Sequence, residues 1–197
     1  MRRALLALAV LLLVPPGCGG GPAQVDDRVV VRRGFKFLLP EGDGWVTREE
    51  TENQAYSLVT RRIQGTFAET ITVHAGRHPF RFADAVDFGD RMNRMVRRGF
   101  EDDRYRVAEL DVRLDDRFGP LCVRRWSVVQ DARAQGMASM IPLEVRTLGY
   151  TFVLPSDRGR LVHLEFAVRG TAAEVEVSNW QTRAEGFMNG IDIRRGH

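Results

Sequence analysis

The chain has 197 residues, 44% of them hydrophobic, with 29 basic side chains against 26 acidic ones and two cysteines. That composition is globular and excludes a collagen, a coiled coil or a disordered acidic tail. Two cysteines exclude a disulfide-rich scaffold, and four scattered histidines argue against a dedicated zinc cage.

Met1-Arg2-Arg3 is followed by an unbroken apolar run of eleven residues, 4–14, and then by Pro15-Pro16-Gly17-Cys18. Eleven helical residues cover only about half of a hydrocarbon core about 30 Å thick. A positive leader, a short apolar stretch and small residues before a break form the layout of a secretory signal over 1–17. With Cys18 directly behind it, the segment resembles the signal of a bacterial lipoprotein. That resemblance implies acylation of Cys18, removal of what precedes it and an anchor of palmitate-like chains. The expected location is extracytoplasmic, on the periplasmic face of a membrane or at the outer membrane. Plain secretion with a free Cys18 thiol is the competing reading. Residues 18–27, which include Gly19-Gly20-Gly21-Pro22, read as a flexible tether. Loss of Arg2 and Arg3 leaves 27 basic residues against 26, a balance that speaks against a nucleic-acid partner.

The body, 28–197, reads as one α+β domain. Period-two alternation predicts strands over 28–31, 35–39, 55–62, 70–75, 107–114, 121–132, 143–154 and 161–168. In 161–168, Val162, Leu164, Phe166 and Val168 point to the core, and His163 and Glu165 point to a solvated face. In 107–114 the inward set is Ala108, Leu110, Val112 and Leu114. Helical spacing predicts one helix over 82–100, with Phe82, Val86, Gly89, Met92 and Val96 in its apolar stripe. A second covers 171–188, with Val177, Trp180, Ala184 and Phe187 inward and a Thr171/Glu174 capping box. A last short strand fits 191–194. The expected architecture is an antiparallel sheet covered by two main helices.

Phe35-Lys36-Phe37-Leu38-Leu39-Pro40 followed by Gly44-Trp45 is similar to the opening of the Mog1/PsbP-like fold, an α/β/α sandwich. The order of hairpins, helix, meander and C-terminal helix is similar too. That resemblance implies a binding or assembly accessory without catalysis, and it brings no catalytic motif onto any position here.

Chemistry-bearing constellations are sparse. His74 and His78 are the closest histidine pair, but Ile71 and Val73 place them on a strand that Gly76 interrupts, so their rings need not converge on a metal. His163 is the histidine expected beside His74. Cys122 shares a strand face with Arg124 and reads as a small buried hydrophobe. No G-x-S-x-G, phosphate-loop or H-E-x-x-H motif occurs. Arg91, Arg94 and Arg98 fall on one face of the first helix, suited to an anionic partner. The competing reading pairs Arg91 with Asp87 and Arg94 with Asp90 at i, i+4, with Glu101, Asp102 and Asp103 neutralising Arg97 and Arg98. Met137 and Met140, in the connection 135–142, form the surface segment best suited to a partner contact; the competing reading folds Met140 and Ile141 back onto the sheet edge.

The functional expectation is therefore a lipid-anchored, non-catalytic binding or accessory protein of the cell envelope, with no cofactor and no metal. Its alternative is a carrier holding a small apolar or lipid ligand between sheet and helices. An enzyme would need His163 or His74 beside a serine and a buried carboxylate.

Overall fold

The computed structural model describes residues 29–32, 34–40, 44–52, 55–101, 104–132 and 142–193. Ten strands and three helices follow one another in the described chain. They are β1 (Val29–Arg32), β2 (Phe35–Leu38), β3 (Val46–Glu52), β4 (Ala55–Gln64), β5 (Phe67–Arg77), α1 (Ala85–Arg98) and β6 (Tyr105–Leu114). After these come β7 (Cys122–Asp131), β8 (Leu143–Val153), β9 (Arg160–Gly170), α2 (Ala172–Val177), α3 (Trp180–Asn189) and β10 (Asp192–Ile193).

Seven strands form one antiparallel sheet in the order β3-β4-β5-β9-β8-β7-β6, and β1-β2-β10 form a second, small one. The alternation read in the sequence sets the first face of the large sheet. Val162, Leu164, Phe166 and Val168 of β9 are all fully buried. They meet Val175 of α2, Trp180 and Phe187 of α3, and Phe35 and Phe37 of β2 in the main core. Phe187 sits 5.9 Å from Phe37 and 6.3 Å from Phe166, ring centre to ring centre. Each such ring contributes about 1.5–3 kcal/mol through burial, so this junction holds the small sheet onto the large one.

The hairpin between β4 and β5 pairs Gln64 with Phe67 across a two-residue turn. Gly65 occupies its first position at φ 62°, the backbone sign that a type II′ hairpin requires there.

α1 begins where Asp84 accepts a hydrogen bond from the Asp87 amide at 2.9 Å, rather than at residue 82. Its buried stripe is Phe88, Met92 and Val96, whereas Val86 is 62% exposed. The expected stripe was rotated by part of a turn, because Phe88, absent from it, is the side chain that enters the core. α1 packs on the opposite face of the large sheet from α2 and α3, over Val123, Val153 and Leu161.

The predicted single helix over 171–188 is two helices. α2 carries the expected capping box at Thr171 and Glu174, and Thr66 of the β4–β5 turn adds a hydrogen bond to Glu174 at 2.8 Å. Ser178 and Asn179 then break the helix, with Asn179 left-handed at φ 51°. The break turns Val177 out to 79% exposure and turns Trp180 in, a rotation that one continuous helix could not supply. Three helices therefore stand where two were expected.

Two further differences concern strands. β3 has no apolar alternation and was not expected; it pairs residue by residue with β4 at the sheet edge. In β6 a bulge between Val107 and Glu109 skips Ala108, so the strand changes register with β7 there.

The second face of the large sheet is not the wet face that alternation suggested. Glu165, Thr70, Thr72, Arg125, Ser127 and Thr147 on it are all buried. Polar residues on a strand mark a solvated face only when nothing else packs over it, and the sequence pattern of one strand carries no such information.

Candidate functional site

Two cross-strand rows organise the buried polar side chains of the second face. In the first, Arg125 of β7 lies opposite Gly149 of β8, which lies opposite Glu165 of β9, which lies opposite Thr72 of β5. Adjacent strands are about 4.8 Å apart, so Arg125 must cross an entire strand to reach Glu165. Gly149 leaves the lane open: a Cβ there would stand 3.1 Å from the Leu164 carbonyl oxygen and 3.7 Å from Arg125 Nε. The guanidinium lies over that gap and donates from Nη2 to Glu165 Oε2.

The second row runs Val123, Thr151, His163, His74 across the same four strands. His163 and His74 are thus direct cross-strand neighbours, as the sequence suggested. His163 Nδ1 is 2.9 Å from Thr151 Oγ1, and its Nε2 is 3.3 Å from Glu165 Oε2. Burial pushes the Glu165 carboxyl up, but the Arg125 charge and then the hydrogen bond from His163 outweigh it and hold the group at about 2. Burial, reinforced by the neighbouring His163, lowers the pKa of His74.

Hydroxyl, imidazole and carboxylate stand here in the order that nucleophilic catalysis uses. The electrostatics work against that use. A carboxylate already neutralised by a buried arginine does little to stabilise an imidazolium, and a threonine hydroxyl without a strong base remains a weak nucleophile. The cluster is better suited to fixing the registry of β5, β7, β8 and β9.

The predicted basic face is present on α1. Arg91, Arg94 and Arg98 surround a cavity of about 220 Å³, with Phe80, Met92 and Met95 as its apolar lining. Arg91 Nε pairs with Asp87 Oδ1 at 2.7 Å, which together with the Ala83 amide holds the Asp87 carboxyl below its ordinary range. The Asp90–Arg94 pair does not form, although the Arg94 charge also helps to lower Asp87; no ion pair involves Arg94 or Arg98 among the described residues, and Asp102 and Asp103, expected to neutralise Arg98, lie outside them. Arg97 instead donates to Asn93 at 3.0 Å. The segment bearing Phe80 is pinned by His78, 3.2 Å from the Arg158 carbonyl oxygen, and by Phe82, which packs edge-on to Phe88 at 4.9 Å. His78 therefore does not converge with His74.

A wider groove of about 420 Å³ runs beside α3, lined by Leu38, Leu39, Pro40, Arg183, Gly186 and Phe187 among others. It opens on the surface at the junction with β2. Beneath α2 and α3 the space is filled by Phe37, Phe166 and Leu148, each fully buried. Arg183 is turned to the buried Glu69, with Nη1 2.6 Å from its carboxylate.

Cys122 is a buried free thiol, and burial pushes its pKa up to about 12, which keeps it protonated and unreactive. Arg124, on the same face, points to Glu185 of α3 at 3.8 Å. Cys18, Met137 and Met140 lie outside the described residues. Among the described residues, no group of three His, Cys, Asp or Glu side chains is arranged to hold a metal ion, and no helix is long and apolar enough to cross a membrane.

Sequence reasoning found the three arginines and the His74–His163 pair, but it missed Phe80 and the Arg125–Glu165 lane. The one available signal for the lane was Gly149, a glycine inside an otherwise continuous strand pattern, which marks close approach of another group. No protein-family model matches the chain, and a search of curated proteins likewise found no match.

Proposed function

We propose that the chain is a lipid-anchored, non-catalytic accessory protein of a bacterial cell envelope that binds a second envelope protein. In this reading Cys18 carries the lipid, residues 18–27 are the tether and the domain lies outside the cytoplasm. The domain is taken as a Mog1/PsbP-like α/β/α sandwich. The opening Phe35–Pro40 and Gly44-Trp45 supports that assignment, together with α1 on one face of the sheet and α2 and α3 on the other. The observation that carries the binding role is the α1 groove, an apolar floor rimmed by arginines, of which Arg94 and Arg98 form no ion pair among the described residues.

Intact-mass analysis of the protein from native membranes tests the anchor. The expected product starts at Cys18 and bears two or three acyl chains, and Cys18→Ala moves the protein to the soluble fraction. An unmodified terminus cut elsewhere overturns the anchor.

A second reading, a carrier of a small apolar ligand, is favoured by the groove beside α3, with Leu38 half exposed on its wall. It predicts saturable binding of a fluorescent fatty acid that Gly186→Trp abolishes. Binding unaffected by that substitution removes it.

A further inference from the structure

Arg91, Arg94 and Arg98 occupy successive turns of α1, but they are not equivalent. Arg91 is neutralised within its own helix by Asp87, and Arg94 and Arg98 are exposed without an ion pair among the described residues. They stand four residues apart, about 6 Å along the axis. The floor between them and the sheet is apolar: Met92 is buried, Met95 is partly buried, and Phe80 is 39% exposed at the rim. An engineered apolar cavity of about 150 Å³ holds a benzene ring, so a cavity of about 220 Å³ admits one phenylalanine or leucine side chain. Two arginines one helical turn apart, without an ion pair among the described residues and beside a single apolar socket, are complementary to carboxylates at the same spacing next to a large apolar residue.

We propose that the α1 groove binds an acidic helical segment of a second protein, with carboxylates on Arg94 and Arg98 and one aromatic or branched side chain between Phe80 and Met95. This deepens the accessory reading above and rests on it. The apolar socket, sized for one side chain beside the two arginines, favours a protein over a bilayer as the occupant. Methionines at the socket suit a partner whose side chain must be accommodated rather than matched rigidly.

The test uses residues 18–197 with Cys18→Ser, which retain every described strand and helix. The probe is a synthetic helical peptide with two glutamates four residues apart and a phenylalanine one turn further on. Its glutamine and alanine counterparts serve as controls, beside vesicles of phosphatidylethanolamine and phosphatidylglycerol. Saturable shifts of the Met92 and Met95 methyl resonances are expected with the acidic peptide. Two exposed ion pairs contribute modestly, so glutamines in the peptide, or Arg94→Gln with Arg98→Gln in the protein, weaken binding about twofold to thirtyfold. Phe→Ala in the peptide removes the methyl shifts. The melting temperature of the double variant stays that of the parent, since both side chains are exposed.

Equal affinity for the glutamine peptide, shifts centred away from α1, or absence of saturation overturns the proposal. Vesicle sedimentation lost on Arg94→Gln and Arg98→Gln, without peptide binding, overturns it in favour of a bilayer. Acylation of Cys18 is read separately by mass, so failure of this test and failure of the anchor are distinguishable.

Discussion

Replacing Glu165 by glutamine changes almost no volume but leaves the Arg125 guanidinium, 6% exposed, without its counter-charge in the lane over Gly149. Removing one partner of a buried pair costs about 3–5 kcal/mol, because the remaining charge stays desolvated. Linkage gives an independent figure. A carboxyl held at about 2 against an ordinary 4.5 contributes about 3 kcal/mol at neutral pH. For a domain of this size 1 kcal/mol corresponds to about 2–4 °C, so Glu165→Gln is expected to lower Tm by about 6–20 °C. Urea unfolding at pH 7, followed by the fluorescence of Trp126 and Trp180, measures it directly. The decisive companion is Arg125→Met with Glu165→Leu, which removes both charges and is expected to recover all but about 1 kcal/mol of the loss. A cost below about 1 kcal/mol for Glu165→Gln, at unchanged m-value, would refute the reasoning by showing that water already screens the pair. So would a double variant as unstable as the two single changes added together.

The pH profile follows from the same cluster. His74 is lowered from an ordinary 6.5, so its contribution is present above that pH and is lost as pH falls from there toward its lower folded-state pKa. Glu165 is lowered to about 2, so its contribution is present above 4.5 and is lost as pH falls toward 2. Tm is therefore expected to decline gently from about pH 6.5 and steeply below about pH 4.5; His74→Asn removes the first slope, and a profile unchanged by that substitution contradicts the assignment. Gly149→Ala places a Cβ 3.1 Å from the Leu164 carbonyl oxygen and is expected to cost about 1–3 kcal/mol, measured by the same urea transition. In the chain carrying Cys18→Ser, iodoacetamide at pH 8 is expected to spare Cys122 until denaturant is added, because its thiol stays protonated up to about pH 12; rapid labelling of the folded protein disproves that burial. Asn179→Ala should cost about 1 kcal/mol and Asn179→Gly should not, since only alanine resists the left-handed backbone at φ 51°.

The sequence carried the fold where one residue's environment is set by its own strand. Val162 to Val168 alternate into the core as read, and the His74–His163 neighbourhood followed from two strands and a shared face. It failed where the deciding contact comes from elsewhere in the chain. Nothing in Arg125, Glu165 or Thr72 announces burial, since a charged or polar residue on an alternating strand looks alike on a wet face and on a covered one. β3 stayed hidden because an edge strand needs only a backbone partner, and its sequence, V-T-R-E-E-T-E, supplies no apolar period. The helix break escaped because Val177 fits the stripe of a continuous helix perfectly well. Only the demand of Trp180 for the core decides against it. For the α1 groove, the arginines were legible from spacing. Phe80, which completes the socket, precedes the helix on a segment held by His78 and Phe82.

The pairing of β2 with both β1 and β10 has a consequence in time. Phe35 meets Ile193 and Lys36 meets Asp192, residues that lie 156 positions apart for the latter pair. Synthesis delivers β1 and β2 first, but Phe37 lacks its edge-on contact with Phe187 until α3 exists. The small sheet closes only when the last described strand arrives. Contacts of such long range are slow to form, because the intervening chain must be ordered before they return any stabilisation. A ribosome-bound chain therefore carries its opening hairpin without the contacts of α3 and β10. The same arrangement that locks the finished domain keeps the growing one from folding early.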